Sequence, residues 1–230
     1  MASHPRHGQP GFPVKQRTCA PVAVALLAVA AAVGGQAEES PGAAIYYACA
    51  TCHGERGEAD EARMTPAIAV LPAWYSAAQL RAYRNGWRGA ESDDFTARKM
   101  TLFAEALASD EALQAVAEYA AGLGDSLRDS EPSNAAPSPS GPPDAVTKAH
   151  FEGCASCHGA NGEGIEELGG PPIAGQPAWY LNRQMDAFSR GTRGSHPDDR
   201  FGGQMRVAPT PSDPDEFAAL IRYIDSLPRP

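Results

Sequence analysis

Cys49-Ala50-Thr51-Cys52-His53 and Cys154-Ala155-Ser156-Cys157-His158 are the two stretches whose residue types and spacing could do chemistry. Two thiols three positions apart, followed at once by an imidazole, match the attachment of a c-type haem. Each sulfur adds to a vinyl group, and the histidine ligates the iron. A structural zinc site needs four ligands, and these motifs already hold four of the chain's five cysteines. A thioredoxin-like Cys-x-x-Cys expects strand-helix-strand surroundings and no obligatory histidine. Cys49, Cys52, Cys154 and Cys157 are therefore read as tethers, and His53 and His158 as iron ligands, of two covalently bound haem c groups.

The elements around the motifs are duplicated, and the duplication supplies further candidates. A shift of 105 positions carries Cys49 onto Cys154, His53 onto His158, Gly54 onto Gly159, Gly57 onto Gly162, Glu58 onto Glu163 and Pro66 onto Pro171, without a gap. Pro72-Ala73-Trp74-Tyr75 then falls on Pro177-Ala178-Trp179-Tyr180, Gln79 on Gln184, and Gly86-x-Arg88-Gly89 on Gly191-x-Arg193-Gly194. The chain reads as two copies of one unit. The same shift places Met100 on Met205, and a methionine thioether is the usual sixth ligand in electron-carrying cytochromes, where it raises the reduction potential. Met64 and Met185 align with Gly169 and Leu80, so both are read as packing residues. His150 and His196 lack repeat partners and read as surface residues, with His196 held as the alternative to Met205.

Each copy predicts a helix ending in the haem motif, over 42–52 and 144–157, stopped by Gly54 and Gly159. A loop without apolar period follows, in which Gly57 and Gly162 allow close backbone approach. Pro66 and Pro171 sit where a carbonyl could accept the second ring N–H of His53 and His158 and fix the tautomer. Second helices are expected over 74–85 and 179–190, stopped by Gly86 and Gly191. Trp74, Tyr75, Trp179 and Tyr180 read as pocket walls or core, with buried N–H and O–H groups needing partners such as a haem propionate. Arg88 and Arg193 are candidates for pairing with propionates or for solvent. Closing helices start after Ser109-Asp110 and after Ser212-Asp213, with Ser212 as cap and Pro214 in the first turn. Their apolar stripes, Leu113, Val116, Ala117, Ala120, Leu123 and Phe217, Leu220, Ile221, Ile224, Leu227, are core at helical spacing.

Residues 129–143 form a Pro/Ser/Ala linker between a first domain at 38–128 and a second at 144–230, and its proline content predicts a semi-extended spacer that lets the domains lie further apart than a tight hairpin would; composition leaves open whether they pack together. Residues 1–37 read as a secretory signal: Arg6, Lys15 and Arg17 without acids, an apolar run over 20–33, and Gly35-Gln36-Ala37 as the cleavage site. The run is shorter than the roughly 20 apolar residues a membrane-spanning helix needs. Cleavage near Ala37 implies export to the periplasm, where c-type haem is attached. The net charge of −9 becomes −12 once those three bases are removed, which makes nucleic acid an improbable partner. Residues 38–130 carry 15 acids and 8 bases, against 11 and 8 over 145–230. That imbalance is read either as solubility or as steering toward a basic partner.

Cys154-x-x-Cys157-His158-Gly159-x-x-Gly162, Pro171-Pro172-Ile173-Ala174-Gly175-Gln176, Tyr180-Leu181-x-x-Gln184, Gly191-x-Arg193 and Met205 together resemble the cytochrome c4 family, and the likeness covers nearly all of residues 42–229. Copy one follows the pattern less closely, with Ala69-Val70-Leu71 in place of Ala-Gly-Gln. The resemblance implies an all-α fold of two tandem class I cytochrome c domains, each a few helices around one covalently bound haem with His/Met iron. It implies a soluble or loosely membrane-associated periplasmic carrier, passing single electrons from a cytochrome bc-type complex or a dehydrogenase to a terminal oxidase. With both iron faces filled by His53 and Met100, or His158 and Met205, no catalytic residue is expected. A cytochrome subunit of a sulfide- or alcohol-oxidising dehydrogenase is the second reading. A dihaem enzyme, such as a peroxidase or a thiosulfate dehydrogenase, is the third and would require an open or differently capped iron.

Overall fold

Each haem motif ends a helix that is closed by glycine, as expected from the sequence. The computed structural model describes residues 40–90, 94–124 and 143–228. The signal segment expected over residues 1–37 and the body of the linker lie outside the described residues. In the first half, α1 (Pro41–His53), α2 (Ala73–Arg84), α3 (Phe95–Glu105) and α4 (Asp110–Gly122) follow one another. In the second, α5 (Ala145–His158), α6 (Ala178–Ser189), α7 (Arg200–Val207) and α8 (Pro214–Asp225) repeat the order, with a short 3-10 turn at Glu166–Leu168. Among the described residues the only extended pairing is two isolated bridges, Asp60 with Thr65 and Ile165 with Gly170. No helix among them is long and apolar enough to cross a membrane.

The closing helix organises each core. α4 packs on α1 and α2, and α8 on α5 and α6. Tyr46, Val116 and Ala120 form the first cluster, with Ile45, Cys49, Ile68, Leu80 and Tyr119 against it. Phe151, Leu220 and Ile224 form the second, with Cys154, Ile173, Leu181 and Tyr223. At the crossing of first and last helix an aromatic pair recurs: Tyr46 on Tyr119 at 5.2 Å between ring centroids, and Phe151 on Tyr223 at 5.0 Å. Such a pair contributes about 1 kcal/mol beyond its buried area.

The structure corrects one sequence expectation and adds two features to it. The cap of α8 is Asp213, whose carboxylate accepts from the N–H groups of Asp215 and Glu216, and not Ser212. A carboxylate at this position also offsets the positive end of the helix. Two helices that the apolar spacing did not announce, α3 and α7, carry Met100 and Met205. And the packing of the halves, which the sequence left open, is seen: side chains of α2 and α6, and of the turns that follow them, meet in a buried seam. Linker composition bears on reach, whereas contact is decided by the complementary surfaces at its ends.

Candidate haem sites and the seam between them

α1 and α5 place their two cysteines on one helical turn, with the inner thiol of each pair against the core. Burial pushes the thiols of Cys49 and Cys154 up, Cys52 is half-buried and Cys157 is exposed. The following histidine is almost enclosed, at 6 % exposure for both His53 and His158. Burial holds both imidazoles below the usual histidine range, which keeps them in the neutral form that binds iron. Nδ1 of His53 lies 3.2 Å from the Pro66 carbonyl, and Nδ1 of His158 lies 2.7 Å from that of Pro171. With Nδ1–H donating to that carbonyl, Nε2 is left with its lone pair free for a metal. The residues read from sequence as second partners of these histidines are where the argument placed them.

The loop that brings the proline into position is pinned by glycine. Gly57 O accepts from the N–H groups of Ile68 and Ala69, and Gly162 O from those of Ile173 and Ala174. A Cβ on Gly57 would meet Ala69 at 2.9 Å, so the close approach is available to glycine alone. Glu58 and Glu163 fold back on the same loop and accept from the N–H of Arg56 and Asn161.

Met100 and Met205 are both half-buried. Met100 lies four residues before the buried Ala104, and Met205 three after the buried Gly202, so each thioether shares the inward face of its helix. The seat for these helices is the second glycine of the repeated Gly-x-Arg-Gly turn. A Cβ on Gly89 would lie 2.7 Å from the Ala97 carbonyl oxygen, and one on Gly194 would lie 2.2 Å from that of Gly202. Sequence reasoning noted that turn as a repeat without finding this purpose for it.

The arginine of the same turn is the principal residue of the seam. Arg88 donates to Gln79 Oε1 at 2.6 Å within its own half, and to Tyr180 Oη at 3.2 Å and Gln184 Oε1 at 2.8 Å in the other. Arg193 returns the pattern, to Gln184 Oε1 at 2.6 Å, Tyr75 Oη at 2.8 Å and Gln79 Oε1 at 3.0 Å. The contact maps onto itself, as an isologous dimer interface does. Each guanidinium also stacks on an aromatic ring of its own half, Arg88 on Tyr83 and Arg193 on Phe188. Outside the reciprocal pattern, Gln176 donates to the Ala67 carbonyl, and Trp87 stacks on His196 at 5.5 Å between ring centroids. His196, read from sequence as a surface residue, is thus part of the seam.

The residues present fit two haem c groups. The tethering thiols and neutral imidazoles are the required donors. Arg88 and Arg193 are buried cations whose hydrogen-bond partners among the described residues are neutral oxygens, and no carboxylate pairs with either. Burial disfavours the charge on Arg88, but a guanidinium stays protonated in a protein, and the Tyr180 hydroxyl and the Gln79 and Gln184 amide oxygens accept its hydrogen bonds. Two buried positive charges without an anion among the described residues are costly, and carboxylates on a bound haem would supply the missing charge at Arg88 and Arg193.

The model of the cytochrome c family matches residues 40–123 and again 145–228. A thiosulfate dehydrogenase electron acceptor from Stutzerimonas stutzeri is 34 % identical over 210 residues, covering 84 % of this chain and 88 % of that protein. Among solved structures, Acidithiobacillus ferrooxidans cytochrome c4 superposes with a TM-score of 0.55 at 26 % identity, covering 79 % of this chain and 99 % of that one. A thiosulfate dehydrogenase from Marichromatium purpuratum superposes with a TM-score of 0.56 at 31 % identity; the match covers 78 % of this chain but only 36 % of that longer one.

Proposed function

This chain belongs to the cytochrome c family as a two-haem member of cytochrome c4-like fold, and on that premise we propose that it is a periplasmic one-electron carrier that accepts electrons from a dehydrogenase. In this reading His53 and Met100 close the first iron and His158 and Met205 the second. Bound haem supplies the one-electron iron couple. The chain's own residues do the rest: four cysteines fix the cofactors, the Pro66 and Pro171 carbonyls orient the imidazoles, and the buried arginines balance charge at the seam. The observation that carries the proposal is the reciprocal seam, since it ties the two candidate haem sites into one unit. The relatives named for thiosulfate dehydrogenase favour a thiosulfate-oxidising enzyme as the donor over the sulfide- or alcohol-oxidising ones considered from sequence. A cytochrome bc-type complex as donor and a terminal oxidase as acceptor remain expectations of the c4 resemblance.

The test is stopped-flow reduction of the purified ferric protein by a thiosulfate dehydrogenase turning over thiosulfate, beside the optical spectrum of both haems. Two low-spin haems, each with the weak near-infrared sulfur-to-iron band, and reduction of both at a catalytically competent rate support the carrier. A high-spin ferric haem in either half, or thiosulfate oxidation by the cytochrome alone, overturns it.

A further inference from the structure

The helix that bears Met100 is held at its start by the other half of the molecule, and among the described residues the converse hold is not seen. Asp94 caps α3: its Oδ1 accepts from the N–H of Thr96 at 2.9 Å, the N–H of Ala97 at 3.2 Å and the Thr96 hydroxyl at 2.8 Å. Arg183, on α6 of the second half, donates to that same Oδ1 and to the Thr96 hydroxyl. Both side chains of this ion pair are only 20 % exposed, so solvent screens it weakly. Burial alone would raise the Asp94 carboxyl, but the hydrogen bonds from Arg183, Thr96 and Ala97 outweigh it and hold the group below the usual aspartate range.

In the repeat the cap is conserved in kind and the clamp is not. Asp199 caps α7 by accepting from the Gly202 N–H at 2.9 Å, and no arginine or lysine pairs with it among the described residues. The position matching Arg183 in the first half is Ala78. α3 rests on Gly89 on one side, and Met100 lies six residues from the cap, about 9 Å along the axis. A helix seated at one point and clamped at its first turn has its axial position fixed, and with it the position of Met100.

We infer that Arg183 is a positioning residue for Met100: through Asp94 it sets the helix that carries the sixth ligand of the first haem, so that the second half governs ligand retention in the first. The inference rests on the proposed ligation of the first iron by Met100. Imidazole displaces methionine from ferric haem at a rate set by how well the thioether is held. The intact two-haem protein should therefore lose its near-infrared band in two phases, one per haem. Arg183→Ala should accelerate one phase by roughly tenfold, the loss of a charge-assisted hydrogen bond at a helix cap. It should lower one of the two reduction potentials and leave the other phase and potential unchanged.

In a Met205→Ala background the surviving band should show the acceleration, and in a Met100→Ala background it should not. Arg183→Lys, which keeps the charge without the fork, should fall between. Asp94→Asn keeps an oxygen to accept from the α3 cap and loses the charge that Arg183 meets, so combined with Arg183→Ala it should be little faster than Arg183→Ala alone. Equal acceleration of both phases would mean that Arg183 merely holds the halves together, and no change in either would mean that α3 needs no clamp; either result overturns the inference. A full band in Met100→Ala would instead remove the ligand assignment, and the inference with it.

Discussion

The two halves agree at the histidine-to-proline contact, the arginine seam and the glycine seats, and differ at the loop that crowns each haem motif. In the first half this loop, bridged between Asp60 and Thr65, turns through Met64 in the left-handed region at φ 58°. Its counterpart in the second half, bridged between Ile165 and Gly170, turns through Gly169 at φ 68°, where a side chain would strike the ring of Phe201. Thr65 hydrogen-bonds the Cys52 carbonyl, whereas Gly170 lies so close to the Cys157 carbonyl that no Cβ fits. The Tyr46 hydroxyl donates to Gly54 O, and its match, Phe151, has none to give. The lesson is that the histidine-to-proline contact, the arginine seam and the glycine seats answer to chemistry shared by both haems. The crowns answer only to local packing.

The comparison is broken most severely at the seats. Gly89→Ala and Gly194→Ala should each cost about 3 kcal/mol from backbone strain and collision, and should remove the near-infrared band of their own haem alone. Denaturant unfolding and the optical spectrum would show it. Next is the seam: Arg88→Ala and Arg193→Ala should destabilise by about 2 kcal/mol each and by similar amounts, because the glutamine and tyrosine oxygens they leave behind are equivalent. Unequal losses in calorimetry would mean that the reciprocity is only geometric.

A smaller difference sharpens the contrast between the crowns. Met64→Gly should stabilise by about 0.5 kcal/mol, relief of left-handed strain less the added freedom of the unfolded chain, while Gly169→Met should destabilise. The least effect is the pH dependence of the one-sided clamp. Asp94 is held below its ordinary value of 3.8, so its contribution is fully present above that pH and is lost as pH falls through the depressed value. The stability advantage over Arg183→Ala should persist down to about pH 4 and shrink below it, as measured by urea unfolding across that range.

Much of the cofactor side was legible because it is local. Cys-x-x-Cys-His, the glycine that ends each motif helix and the Pro66 and Pro171 carbonyls all lie within twenty residues of one another. The methionine helices were not legible. In α3 only Ala104 is buried, while Phe95, Leu102 and Phe103 are exposed, so no apolar period marks it. α7 contains Gly202-Gly203, which lowers helix propensity. Arg88 and Arg193 were equally plausible beside a cofactor or in water, because a guanidinium's surroundings are set by residues about a hundred positions away.

The reciprocal arginine contact has a historical consequence. A surface that matches itself could have joined two separate single-haem polypeptides before they were fused. Fusion replaces a bimolecular encounter with an internal one. Partnership then no longer depends on every contact being kept in duplicate. Gln176 still reaches across to Ala67, while Leu71 in the matching place has no amide to reach with, and the covalent tether is what makes that loss tolerable.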